Sequence, residues 1–117
     1  TNLEKISNAA GRYLYFAPEC FSDIYLPTSD VFSAGIVFYR MLTGKSPWEF
    51  ELTNFNDFSE VTKSIIISRR KKPLAPSFFN NEISKDIDKV VLTSLELNIE
   101  NRYKSGTDFL TAINQIN

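Results

Sequence analysis

The sequence predicts a mainly α-helical domain formed by one long packed loop and four helices. Its 117 residues fit a single domain, and 43% hydrophobic against 23% charged residues is typical of a folded globular chain. Three segments place apolar residues at helical spacing, a fourth is apolar on every side, and no pair of segments reads as paired strands. We therefore expect helices packed around one shared core.

Composition excludes several classes of protein. Cys20 is the only cysteine and there is no histidine, which rules out an internal disulfide, a multi-cysteine zinc site and a histidine-dependent catalytic triad. The net charge of -1 gives no general attraction to nucleic acid or to anionic membranes. The longest apolar stretch, 31–42, is shorter than the roughly 18 residues that span a bilayer. We expect no nucleic-acid partner, no membrane segment and an intracellular, cytoplasmic location.

The first helix is the clearest of the four. Residues 1–30 have no sustained period and read as an extended loop rich in aromatic side chains. Ser29 and Asp30 then form an N-cap pair, and Gly44 provides a C-terminal stop after 31–42. Because this helix is apolar all round, we expect it to be buried as the hub of the domain.

The second helix is predicted over 57–70, with Val61 and Ile65 on one face and Pro73 ending it. The basic run 69–72 favours cations that complement the helix dipole on a solvated face. A nuclear-localisation or phosphate-binding role for this run is the alternative.

Two further helices follow an ordered connection over 74–82. The third is predicted to start at Ser84 and to end near Leu97, and the fourth starts after a capping pair of Ser105 and Asp108. The predicted buried faces are Ile87, Val90, Val91 and Leu95 in the third helix, and Phe109, Leu110, Ile113 and Ile116 in the fourth.

Three motifs resemble one known family. GRYLYFAPE at 11–19, SDVFSAGIVFYRMLTGKSPW at 29–48 and NIENR at 98–102 occur in the order and rough spacing of the C-terminal lobe of eukaryotic-type protein kinases. The resemblance implies the helical C-lobe portion of the kinase fold, with no N-lobe sheet in this chain. It makes 1–28 the end of the activation segment with its APE loop, 29–44 helix F, and 45–117 helices G, H and I. An unrelated helical domain is the alternative.

The resemblance also assigns two structural roles. It implies an ion pair between Glu19 and Arg102, a pairing that suits a planar guanidinium and a carboxylate. Two exposed residues that never meet are the alternative. It further implies that Asp30 anchors the catalytic loop, whereas a helix N-terminus alone would also explain an aspartate there.

A third assignment concerns the loop that receives the substrate residue following the phosphorylated one. By resemblance this substrate-pocket loop comprises Arg12, Tyr13, Leu14 and Tyr15, although plain core packing would also explain the aromatic side chains. Kinases specific for serine and threonine generally carry threonine in place of Arg12. Since a guanidinium cannot accept a hydrogen bond, this departure argues against ordinary Ser/Thr kinase activity.

The phosphate-transfer machinery of kinases is not found in this sequence. There is no glycine-rich loop, no HRD or DFG motif and no strand lysine, so this chain alone is expected to have no catalytic residue, no cofactor-binding residue and no metal site. The chain opens at Thr1 with its only methionine at Met41, and we expect it to be part of a longer protein.

Two functions remain open for that longer protein. In the favoured one, a kinase domain transfers the γ-phosphate of ATP, with Mg, to a Ser or Thr hydroxyl, or less readily to Tyr, and this chain supplies scaffold and substrate loop. In the alternative, the chain is part of a pseudokinase-like, noncatalytic interaction module. The implied partners are the remainder of the kinase domain and a protein substrate or regulatory protein.

Overall fold

The computed structural model describes residues 13–48 and 58–116. Four α-helices follow one another in this part of the chain: α1 Pro27–Thr43, α2 Phe58–Ser68, α3 Lys85–Ser94 and α4 Gly106–Asn114. Short 3-10 turns lie at Pro18–Ser22, Pro76–Phe78 and Ile99–Asn101, and these described ranges contain no strand. The mainly helical prediction is confirmed. No helix within the two ranges is long and apolar enough to cross a membrane.

Helix α1 begins at Pro27, before the predicted N-cap pair. Proline suits the first helical position because its fixed φ matches the helix and its missing N–H needs no partner there. Ser29 lies inside the helix, and its hydroxyl accepts a hydrogen bond from the N–H of Leu26 at 3.1 Å. The predicted stop is confirmed, because Gly44 has φ 72° and its N–H donates to the carbonyl of Arg40 at 2.8 Å.

The prediction that α1 is the buried hub is confirmed for one face of the helix and is wrong for Val37 and Met41, which are 44% and 76% exposed. Its side chains Phe32, Ile36 and Tyr39 are at most 2% exposed. They form one core cluster with five further buried residues, Ala17, Cys20, Trp48, Val91 and Leu95. Helix α3 packs closely against α1 at Gly35, where an added Cβ would collide with the hydroxyl of Ser94. A residue without a side chain is therefore required at this crossing.

Two smaller clusters complete the interior. Val31, Val90 and Phe109 join α1, α3 and α4, and the ring of Tyr103 stacks on that of Phe109 with centroids 5.5 Å apart. Leu110, predicted to face the core, is 56% exposed. That prediction is wrong because α4 turns only one face toward its neighbours, and Phe109 occupies it.

The third cluster joins α2 to the loop before α1. Val61 and Ile65 are fully buried against the partly buried side chains of Tyr13, Leu14 and Phe21. Helix α2 ends at Ser68, and Asp57, at the predicted start, lies outside the described residues. The prediction that the basic run 69–72 lies on a solvated face is wrong for Arg69, whose side chain is buried. It is confirmed for residues 70–72, which are exposed.

Caps and turns fix the remaining helix ends. The hydroxyl of Ser84 accepts from the N–H of Ile87 at 3.2 Å, and that of Ser105 accepts from the N–H of Asp108 at 3.2 Å, which confirms the predicted helix start at Ser84 and the predicted cap at Ser105. Helix α3 ends at Ser94 and not near Leu97. At this end the N–H groups of Leu95 and Glu96 donate to the carbonyls of Leu92 and Thr93, three residues back, so the chain tightens and leaves the α-helical pattern.

Candidate functional site

Glu19 and Arg102 form a two-point ion pair although 83 positions separate them. Nη1 of Arg102 lies 2.7 Å from Oε2 of Glu19, and Nη2 lies 3.0 Å from Oε1. The Arg102 side chain is 0% exposed and that of Glu19 is 8% exposed. The structure thus brings together the two residues that the kinase resemblance paired, in the parallel geometry that makes such pairs strong.

The other atoms of the pair are also hydrogen-bonded. Nε of Arg102 donates to the carbonyl of Glu96 at 2.7 Å, and Nη1 donates to that of Thr28 at 3.2 Å. The hydroxyl of Ser29 donates to Oε2 of Glu19 at 2.5 Å. Burial alone would raise the pKa of Glu19, but the hydrogen bonds from Arg102 and Ser29 outweigh it and hold the pKa below its ordinary value. Glu19 is therefore a saturated, ionised carboxylate, suited to holding structure and not to accepting protons.

Asp30 lies apart from this network. It is exposed in the first turn of α1, where a carboxylate is favoured by the helix dipole. Within the described ranges its carboxylate has no hydrogen-bond or ion-pair partner, so the structure does not bring it together with Glu19 and Arg102.

The backbone of the predicted substrate-pocket loop is held by one side chain from α1 and by one from just beyond the end of α2. The carbonyl of Leu14 accepts from Nη2 of Arg69 at 2.6 Å, and the carbonyl of Tyr15 accepts from the hydroxyl of Ser33 at 2.5 Å. The ring of Tyr13 packs edge-on against Phe16, with centroids 4.7 Å apart. With these contacts, Tyr13, Leu14 and Tyr15 are half-buried. Arg12, the first residue of the loop, lies outside the described residues.

The match to a known family decides what this arrangement belongs to. The family described as "Protein kinase domain" matches residues 1–113 of the chain. The chain belongs to the protein kinase family.

Curated kinase relatives agree with that assignment. The chain is 32% identical over 109 residues, 92% of its length, to the serine/threonine-protein kinase PknB of Mycobacterium leprae. It is 34% identical over 99 residues, 84% of its length, to PknB of Mycobacterium tuberculosis, and 35% identical over 97 residues, 78% of its length, to the serine/threonine-protein kinase TOUSLED of Arabidopsis thaliana. The chain spans only 16%, 14% and 14% of these relatives, respectively.

Arg69 is a buried residue beside the loop that the sequence analysis placed on a solvated face. Its guanidinium lies 4.6 Å from the ring centroid of Trp48, and its Nε has no hydrogen-bond partner among the described residues. Burial lowers the pKa of Arg69 to about 10, which still leaves it charged at neutral pH. The sequence does contain a sign of this burial, because Arg69 follows Val61 and Ile65 at a spacing of four residues and so lies on the same face of the helix.

Arg40 is a second residue that the sequence prediction missed. It is exposed on α1, and its Nη1 donates to the phenol oxygen of Tyr15 at 2.6 Å. No sequence spacing indicates this contact, because the two residues come from different elements.

No three His, Cys, Asp or Glu side chains cluster in the two ranges as metal ligands would. What these residues can do chemically is fix a scaffold and present a loop with a defined backbone.

Proposed function

We propose that this chain is the C-terminal part of a kinase C-lobe, with 1–28 as the end of the activation segment, 29–44 as helix F and 45–117 as helices G to I. In this proposal the complete domain transfers the γ-phosphate of ATP to a Ser or Thr hydroxyl of a protein. The order of the three motifs supports the placement, and the three relatives, all serine/threonine-protein kinases, support the choice of Ser and Thr.

The buried link between Glu19 and Arg102 carries the proposal. It joins the 3-10 turn Pro18–Ser22 to the turn before α4, and its side chains, 0% and 8% exposed, have little surface with which to meet a substrate. Its role is therefore to hold the end of the substrate-pocket loop in place. Hydrogen bonds from Arg69 and Ser33 fix the loop carbonyls in addition, which is the preorganisation that positioning of a peptide requires.

Mg-ATP supplies the transferred phosphoryl group in a kinase, and we assign its binding to the remainder of the domain. This remainder is the first proposed partner of the chain, and Asp30 is its proposed contact point at the catalytic loop. A protein substrate is the second partner. The proposed location of the protein is intracellular, in the cytoplasm.

The test is phosphate transfer by the complete protein that contains this chain. Radiolabelled ATP is supplied with Mg or Mn and with peptide mixtures that carry Ser, Thr or Tyr as the only hydroxyl residue. We expect label on Ser and Thr peptides, and a loss of roughly ten- to hundredfold for Glu19→Gln because a displaced loop misplaces the substrate. Glu100→Gln, which alters an exposed carboxylate on the neighbouring turn, is the matched control and should retain activity.

Arg12 is the feature that favours the noncatalytic alternative, an interaction module. If a folded wild-type protein transfers no phosphate and Arg12→Thr does not restore transfer, the kinase proposal fails. If Arg12→Thr increases labelling of Ser and Thr peptides, the wild-type site lacks a hydroxyl at this position. That result would support the proposal that the domain transfers phosphate.

A further inference from the structure

A groove of about 520 Å3 lies between the C-terminal ends of α1 and α2 and the segment that leads to the 3-10 turn Pro76–Phe78. We call it the basic groove, and its main lining residues are Tyr39, Lys45, Ile67, Lys71, Leu74 and Phe79, with Lys72 beside them. None of the lining residues belongs to the substrate-pocket loop, so the groove is separate from the site described above.

Two buried aromatic side chains fix the walls of the groove. The hydroxyl of Tyr39 donates to the carbonyl of Leu74 at 2.7 Å, and Nε1 of Trp48 donates to the carbonyl of Lys71 at 2.5 Å. Tyr39 and Trp48 are 1% and 5% exposed, so both hydrogen bonds come from side chains in the core of the domain. The groove is therefore formed before any ligand arrives, which lowers the entropic cost of binding.

Among the described residues, the charged side chains that line the groove are all cationic. Lys45, Lys71 and Lys72 are all exposed, and none of the three has a carboxylate partner among the described residues. The Nζ of Lys45 lies 5.1 Å from the ring centroid of Phe79, which holds the cation at the rim. An anionic ligand would supply the missing counter-charge, although the whole chain has a net charge of -1.

The same groove exposes apolar surface. Ile67, Leu74 and Phe79 are 59%, 53% and 38% exposed, respectively. A contiguous apolar patch with a polar rim marks a protein interaction site more often than a chance surface. Aliphatic side chains such as Ile67 and Leu74 offer little to a nucleic acid, whose bases stack on aromatic or guanidinium planes. The combination favours a protein ligand.

We propose that the basic groove docks an acidic protein segment. A bulky apolar side chain of the segment packs between Leu74 and Phe79, and flanking Asp or Glu carboxylates pair with Lys45, Lys71 and Lys72. Such a contact tethers a partner at a distance from the loop 13–15. It goes beyond phosphate transfer, because the groove would bind its partner whether or not the domain is catalytic.

The experiment measures fluorescence anisotropy of short fluorescein-labelled peptides titrated with the complete protein that contains the chain. The probe peptide carries Phe and Leu between Asp and Glu residues. One comparison peptide replaces the acids by Gln, and a second replaces Phe and Leu by Ser. A labelled oligothymidine is the fourth probe. We expect saturable binding of the first peptide alone, weakening with added salt.

Charge variants locate the binding site. Lys71→Glu combined with Lys72→Glu should weaken binding roughly tenfold or more, because two attractions become repulsions. The matched control combines Lys89→Glu with Lys104→Glu, exposed lysines outside the groove, and should stay within about twofold. Lys45→Glu repeats the test from a different segment if the double variant fails to fold.

An apolar variant and the comparison probes complete the design. Leu74→Ser should reduce binding of the probe peptide roughly fivefold, as loss of an apolar contact requires. The proposal is overturned if the variants at Lys71 and Lys72 bind as wild type does, if either comparison peptide binds as tightly as the probe, or if oligothymidine binds more tightly.

Discussion

Breaking the pair between Glu19 and Arg102 should destabilise the kinase domain strongly and non-additively. Glu19→Ala leaves a guanidinium that is 0% exposed without its counter-charge, which costs about 3 to 5 kcal/mol of unfolding free energy. Arg102→Ala should cost at least as much, because it also leaves the carbonyls of Thr28, Glu96 and Leu97 without this donor. The double variant should be less destabilised than the sum of the singles by about 1 to 3 kcal/mol.

The assay is urea unfolding of the complete kinase domain, followed by far-UV circular dichroism for wild type, both single variants and the double variant. Glu100→Ala is the control, since it removes an exposed carboxylate from the adjacent turn. Single effects that simply add would refute the reasoning, because they would mean that the two groups do not interact in solution. Single effects below about 1 kcal/mol would refute the claim that the pair is desolvated.

The same pair gives a pH dependence of known sign. The pKa of Glu19 is lower in the folded protein than its ordinary value of 4.5. A lowered carboxyl pKa contributes stability that is fully present above the unfolded pKa and is lost as pH falls through the folded pKa. Wild type should therefore lose stability below about pH 4.5 more steeply than Glu19→Gln, whose side chain does not titrate. If the unfolding free energies of the two proteins depend on pH in the same way, the prediction is wrong.

Three further predictions address the packing. Arg69→Met should lower the unfolding free energy by about 1 to 3 kcal/mol, because the hydrogen bond to the carbonyl of Leu14 is lost. Arg70→Met, at an exposed position, should change the unfolding free energy little. Urea unfolding of the two variants and of wild type measures the difference. Gly35→Ala should lower the unfolding free energy by about 1 to 3 kcal/mol, because the added methyl group overpacks the crossing of α1 and α3. Gly106→Ala is the control, since the space around Gly106 is open. Melting temperatures of the two variants measure the difference. The 117-residue chain alone should bind a hydrophobic dye and self-associate, because Met41 on the hub helix is 76% exposed, and sedimentation of Met41→Glu should show less association.

Local signals in the sequence predicted local structure well. Gly44, Ser84 and Ser105 end or begin helices by contacts within a few residues, so their roles follow from residue type and position. The hydroxyl of Ser29 is of the capping type, which predicts a position at the helix boundary. Its actual bonds reach Leu26 and the distant Glu19, and the second of these has no local signature.

Contacts between distant segments could not be predicted from spacing. Glu19 and Arg102 were paired through the kinase resemblance, since no periodicity connects residues 83 positions apart. The burial of Arg69 depends on where Trp48 and the loop lie, and the exposure of Leu110 depends on which face of α4 meets α1. These are properties of the assembled fold.

The position of Trp48 gives the domain a built-in optical reporter. Trp48 is the only tryptophan of the chain, and its ring is stacked on that of Phe32 with centroids 5.5 Å apart and planes 7° from parallel. The Arg69 guanidinium lies over the same ring, and the indole N–H is bonded to the backbone just beyond α2. Its emission therefore senses the spacing of α1 and α2 through a single chromophore, and shifts in its wavelength or anisotropy would follow that spacing without any attached label.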